Sequence, residues 1–210
     1  QHFREDGQAF EISVYADGSP TFEDEENFEV LQATVTLIAH DPVFSSVMQH
    51  AEAFAAQVAN NLMLPVTLPL MLGAQTILQE EREITYAGTF PAYPVLEFHG
   101  PYSWIAVTNI TTGKQIRLGQ PIVTGERRVI DLTPGAVRIV NGDDENRFYE
   151  LVLPESDLIG FNLRPAGVPV MGDPYSGVAG GVNILKVEAG GFEQCHTAAV
   201  VYYRNRYLSM

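Results

Sequence analysis

Between residues 83 and 132, apolar and polar positions alternate in short runs cut by turns. Val95, Glu97 and His99 interleave with Leu96, Phe98 and Gly100, and Ile105 and Val107 interleave with Trp104, Ala106 and Thr108. Ile116 and Leu118 flank Arg117, and Val129 is followed by Ile130 and Asp131. A period of two buries one set of side chains and turns the other outward, so these runs read as strands. Gly113, in Asn-Ile-Thr-Thr-Gly-Lys, supplies the positive φ that a hairpin loop needs. Pro94 and Pro101 donate nothing to a ladder and belong at strand starts or edges.

The same pattern extends in both directions. Strands are expected at 8–16 and 31–39, separated by a turn at 17–20 and an acidic, irregular stretch at 21–29. The period then changes. Val47, Ala51, Phe54 and Val58 share one helical face, and Ser46 and Gln49 stand at capping-box spacing. This predicts a helix over 46–60, ended by Asn60-Asn61 and Pro65. Residues 61–73 form an extended connector, too apolar for a free linker. Further strands are expected at 75–86, 94–99, 103–110, 114–119 and 126–132, and around Val137 and Ile139 up to the Asn141-Gly142 turn. Others follow at 148–153, 158–163, 184–187 and 198–203, with a Gly- and Pro-rich surface loop at 165–181. Many short strands with turns near ten-residue intervals indicate a mainly β chain built as a sandwich or barrel. The organisation expected is a first domain over 1–60, the connector, and a β-sandwich domain over 74–210.

Several stretches of this pattern carry a family resemblance. Ile84-Thr85-Tyr86-Ala87-Gly88-Thr89, followed by Tyr93-Pro94-Val95-Leu96, is similar to the opening of the carboxy-terminal domain of siphovirus distal tail (Dit) proteins, a phage tail component family. Residues 108–114 and 125–132 resemble that domain's hairpin and following strand, and residues 200–208 its closing strand. Val35-Thr36-Leu37-Ile38-Ala39 leading into Asp41-Pro42 resembles the end of the family's amino-terminal belt domain. The matches keep the family's order over most of the chain. The resemblance implies a galectin-like sandwich preceded by the end of a β-rich belt with one helix. It also implies a structural, non-enzymatic role in the virion, as a self-assembled ring, a hexamer in the family. Such a ring joins the tail tube to the tail tip or baseplate, and DNA passes through its lumen without specific binding. The chain would be assembled in the host cytoplasm. The family's belt is usually longer than residues 1–60, a shortfall that counts against ring formation by this chain unless residues precede Gln1. The chain opens on Gln1 rather than Met, compatible with a fragment, a processed end or a leader beyond it.

Composition narrows the function classes. At 210 residues and 46% apolar content, one large or two small domains can bury roughly 70% of the unfolded surface. No apolar run approaches the ~20 residues of a membrane span. The net charge of −14 argues against phosphate-backbone binding. Acid concentrates at the start: Glu5, Asp6, Glu11, Asp17, Glu23, Asp24, Glu25, Glu26 and Glu29 stand against Arg4 alone. A solvated surface explains this; the resemblance offers the alternative of an acidic surface near a DNA channel. Cys195 alone allows no internal disulfide and reads as a small buried hydrophobe.

Candidate chemistry is sparse. The phosphate-loop, dinucleotide-loop, zinc-protease and nucleophile-elbow patterns are missing from the sequence. Cys195 and His196 are neighbours and on a strand would face opposite ways. His2, His40, His50 and His99 lack ligand spacing, so no metal or cofactor is expected. Asn141, Asp143, Asp144 and Glu145 could ligate calcium through oxygen, but read first as a solvated turn. Tyr102 and Trp104, beside a turn, are the candidate partner or sugar contacts, with core packing as the competing reading of Trp104. The galectin-like architecture that the resemblance implies gives the alternative function, a carbohydrate-binding module for adsorption to a host-surface glycan.

Overall fold

A computed structural model of the chain describes residues 2–3, 9–24, 31–55, 78–165, 181–191 and 197–208. Among these, the strands in chain order are β1 (His2–Phe3), β2 (Ala9–Glu11), β3 (Tyr15–Ala16), β4 (Thr21–Asp24), β5 (Leu31–Thr34), β6 (Leu37–Ile38) and β7 (Phe44–Ala55). After them come β8 (Leu78–Thr85), β9 (Val95–His99), β10 (Trp104–Asn109), β11 (Lys114–Leu118), β12 (Arg127–Asp131), β13 (Arg138–Asn141), β14 (Val182–Gly190) and β15 (Thr197–Tyr207). A seven-stranded sheet has the order β1-β2-β7-β15-β9-β12-β13, and a four-stranded sheet the order β11-β10-β14-β8. Every named pair is antiparallel.

The two larger sheets share one core, which makes the fold a β-sandwich. Leu96, Phe98, Ile130, Ile139, Ala199 and Val201 from the larger sheet meet Ile84, Ile105, Val107, Ile116, Leu185 and Val187 from the smaller. These are the inward positions of the alternation read from the sequence, and burial of such side chains supplies ~25 cal/mol per Å² of apolar surface. The hairpin between β10 and β11 turns at Gly113 (φ 67°), the positive-φ position expected there. Asn109 anchors that turn from inside. Its Oδ1 accepts from Thr111 N at 3.1 Å, and its Nδ2 donates to Asn162 O at 2.8 Å and to Asn183 Oδ1 at 3.1 Å.

The helix expected over 46–60 is not formed where the structure describes it: residues 44–55 are the twelve-residue strand β7, and 56–60 lie outside the described residues. Val47, Ala51 and Phe54 do recur at helical spacing, but β15 decides the outcome. Its Tyr202 and Tyr203 pair with Ala51 and His50, and Ala199 pairs with Phe54. A ladder along most of β7 outweighs the helix propensity of an Ala-rich segment, because pairing in the tertiary structure overrides local preference. The expected boundary at 61–73 also lies outside the described residues, as do most of the loop at 165–181, Cys195 and His196. The larger sheet holds β7, from before that boundary, beside β15, from after it.

Four smaller corrections follow. Residues 21–29 were expected to be irregular, yet Thr21–Asp24 is a strand because Leu31–Thr34 pairs with it residue for residue. The single strand expected at 31–39 is divided between β5 and β6, and β6 pairs with β3 instead. The strand expected at 8–16 is similarly divided between β2 and β3. The strands expected at 148–153 and 158–163 are replaced by 3-10 turns at Phe148–Glu150 and Leu153–Glu155 and a turn beyond. Side chains impose those turns. Asn146 Oδ1 accepts from Phe148 N at 2.8 Å, Pro154 opens the second 3-10 turn, and Asp157 Oδ1 accepts from Gly160 N at 2.6 Å. Strand character survives only as single bridges, Leu118 to Leu151 and Ala92 to Leu163.

Candidate functional site

The end of β15 fastens the amino-terminal strands to the sandwich. Its sequence, Tyr202-Tyr203-Arg204-Asn205-Arg206-Tyr207, loses register with β7 between Arg204 and Arg206. That irregularity re-aims the arginines. Arg204 pairs with Glu11 of β2, and Arg206 pairs with Asp41 just before β7. Arg206 also donates to Pro91 O at 2.9 Å and lies over the rings of Phe90 (5.3 Å) and Tyr93 (5.6 Å). Beside it, Phe10 of β2 meets Tyr207 edge-on at 5.3 Å. A groove of about 410 Å³ opens at this junction, lined by Glu11, Asp41, Gln49, Tyr93, Tyr202 and Arg204 among others. Arg204 and Arg206 each meet a carboxylate here, so the groove offers hydroxyl-sized polar contacts without a large net charge.

Tyr86 holds the floor of this junction. Its hydroxyl donates to Phe90 O at 2.6 Å and accepts from Arg206 N at 2.9 Å, with the ring fully buried. Burial pushes the phenol up from 10.0 to about 12, against the lowering effect of its bond to Arg206. The neutral form is therefore favoured by folding: its contribution is complete below pH ~10 and is lost as pH rises towards about 12. Burial raises Tyr102 and Tyr203 as well, adding to the same slope. Tyr86→Phe is expected to cost ~1–3 kcal/mol at neutral pH. In urea titrations run from pH 9 to 12 it should also shallow the alkaline fall in stability; an unchanged slope refutes the assignment.

The sequence-derived candidates separate. Tyr102 is only 2% exposed, bridged to Ile122 and packed in the core, so its ring offers no surface to a partner. Trp104 is half-buried on the outer face of the smaller sheet, with the Arg117 guanidinium 4.9 Å over its ring and Gly190 beneath it. In the 141–145 turn, Asn141 Oδ1 accepts from Asp143 N (3.1 Å) and Glu145 N (2.9 Å), while Glu145 pairs with Arg147. These oxygens are engaged by the turn itself. Among the described residues no group of three or more His, Cys, Asp or Glu gathers as a metal site.

A second feature is a surface, not a groove. Val14, Tyr15, Val35, Leu37 and Ile38 are exposed on and beside the β3–β6 ribbon, Tyr15 at 62% and Leu37 at 57%. A two-stranded ribbon is marginal by itself, and apolar groups clustered in the open mark a contact surface. Neither feature is legible along the sequence. Arg204 and Glu11 are separated by 193 positions, Arg206 and Asp41 by 165, so no local spacing announces them.

Fold and surface together define an antiparallel β-sandwich with short paired strands ahead of it that present apolar groups. No family model and no curated protein matches the sequence. Among solved structures, the chain is similar to the Dit protein (gp 19.1) of SPP1, described as a paradigm of the hub adsorption apparatus in phages infecting Gram-positive bacteria. The TM-score is 0.54 at 10% identity, over 96% of this chain and 62% of that one. The chain thus has the fold of that distal tail protein and spans less than two thirds of its length.

Proposed function

We propose that this chain is a structural component of a phage tail hub, a distal-tail protein assembled as a ring between tail tube and tail tip or baseplate. The observation that carries the reading is the likeness to the SPP1 hub protein over 96% of the chain. The exposed apolar ribbon adds to it, because a neighbouring copy would cover what this copy leaves open. In this reading the short ribbons β3–β6 and β4–β5 are the end of a belt, and the sandwich, whose larger sheet also takes in β1, β2 and β7, is galectin-like. The ring is a hexamer in the virion, its interface is head-to-tail and closes on itself, and a permanent one buries upwards of ~2,000 Å². Tail-tube and tip proteins are its other neighbours. The work is geometric: the chain binds and spaces its partners and makes no bonds.

Mass photometry and negative-stain imaging of the intact gene product test this. A closed ring with a central lumen is expected at micromolar concentration. A strictly monomeric full-length protein overturns the reading.

A further inference from the structure

The outer face of the seven-stranded sheet carries polar side chains in a pattern that hub assembly does not require. Glu97 on β9 faces away from the core, and its side chain is only 15% exposed because others crowd round it. Arg127 Nη1 on β12 lies 3.2 Å from Glu97 Oε1, and His99 Nε2, two residues along β9, lies 3.4 Å from the same oxygen. Tyr202 on β15 flanks Glu97 from the other side, one diagonal step along the ladder. Register explains the convergence: Arg127 stands opposite His99, and Tyr202 opposite Val95. Burial, and the Glu97 carboxylate beside it, raise the Tyr202 phenol. Tyr202 and Val95 also line the 410 Å³ groove, which continues the same face past Tyr93 to Arg204.

We propose that this face binds a neutral saccharide, with the Glu97–Arg127 pair at one end and the Tyr93–Tyr202 groove at the other. A sugar ring presents adjacent hydroxyls, each donor and acceptor, on a framework whose C–H faces are apolar. Of a carboxylate beside a guanidinium, the carboxylate accepts from one hydroxyl and the guanidinium donates to the next. A tyrosine ring covers the C–H face and keeps a hydroxyl at its own tip. The groove lies in the ~300–1,000 Å³ range of small-molecule sites. Charge selects a neutral ligand: Glu97, Glu11 and Asp41 offset Arg127, Arg204 and Arg206 across the face. An anionic or cationic ligand would have to displace one of these pairs. The proposal is independent of the ring reading.

Isothermal titration of the intact chain tests it. The probes are neutral hexose and N-acetylhexosamine trisaccharides and their uronic-acid counterparts. Saturable binding of at least one neutral trisaccharide is expected. Glu97→Gln and Tyr202→Ala should each weaken it roughly tenfold or more. Arg138→Ala, at the far edge of the same sheet, should leave it unchanged. Melting curves exclude unfolding, and Tyr202→Phe, which keeps the ring, should retain more affinity than Tyr202→Ala. Absence of saturation by every probe, binding confined to the acidic probes, or undiminished affinity in Glu97→Gln would each overturn the proposal. Particle mass recorded on the same samples separates the readings: a ring that binds no sugar refutes this site alone, and a sugar-binding monomer refutes the ring alone.

Discussion

Arg128→Ala is expected to lower the stability of this chain by about 3–5 kcal/mol, more than any surface substitution. Arg128 is on β12 but points inward, with its side chain 5% exposed. Its Nε donates to Glu150 Oε2 at 2.8 Å, and the Glu150 side chain is itself 3% exposed. Nη1 donates to Arg127 O at 3.1 Å, and Nη2 stands 3.2 Å from Glu126 Oε2. The pair pins the Phe148–Glu150 turn to the larger sheet. Deleting the arginine leaves a carboxylate buried without its counter-ion, and the cost is dominated by that stranded charge. The same physics predicts that the double variant Arg128→Met, Glu150→Leu recovers most of the loss, because no charge remains to be desolvated. Urea unfolding of the wild type, the single variant and the double variant checks both halves. A loss below ~1 kcal/mol in the single variant would place the pair in solvent.

That pair also shows why parts of the fold were legible in the sequence and others were not. Residues 94–132 combine strict alternation with turn residues between the runs, so β9 to β12 lie within a residue or two of expectation. The β10–β11 hairpin closes locally, and β9 and β12, which pair with each other across it, each carry a full alternation of their own inside the window that periodicity samples. β7 fails that condition. Its partner β15 lies some 150 positions away, with His50 opposite Tyr203, and Ala51 and Ala53 carry little strand preference of their own. Residues 148–163 fail differently. Leu151, Phe161 and Leu163 are buried as an alternating pattern requires, but Asn146, Pro154 and Asp157 bend the backbone between them.

The candidate sites were less legible than the fold, for the same reason. Tyr102 was placed near a surface because it neighbours a turn, yet its bridge to Ile122 turns it into the core. Glu97, Arg127 and Tyr202 are unremarkable where they stand in the chain, and only the order β15-β9-β12 makes them neighbours. A site spread over three strands exists in the register, and register is a property of pairings that one sequence does not display.

In the ring proposed for this chain, Leu37→Glu is expected to convert the assembly to monomers while leaving the sandwich as stable as before. Leu37 pairs with Ala16 across the β3–β6 ribbon, beside Tyr15 opposite Ile38, and all these side chains are exposed in the single chain. In solvent a glutamate there costs little, so unfolding of the variant should match the wild type within ~0.5 kcal/mol. At a copy-to-copy contact the same carboxylate is buried against Leu37's former neighbours without a cation. A penalty of ~3 kcal/mol per contact corresponds to a weakening of roughly a hundredfold, and a ring feels it at every interface. Mass photometry at matched concentration should move from the ring mass to that of one chain, and Leu37→Met, which keeps the apolar volume, should keep the ring. An intact ring in Leu37→Glu would mean that the apolar ribbon faces something other than a sister subunit, and that the contacts closing the ring lie elsewhere on the chain.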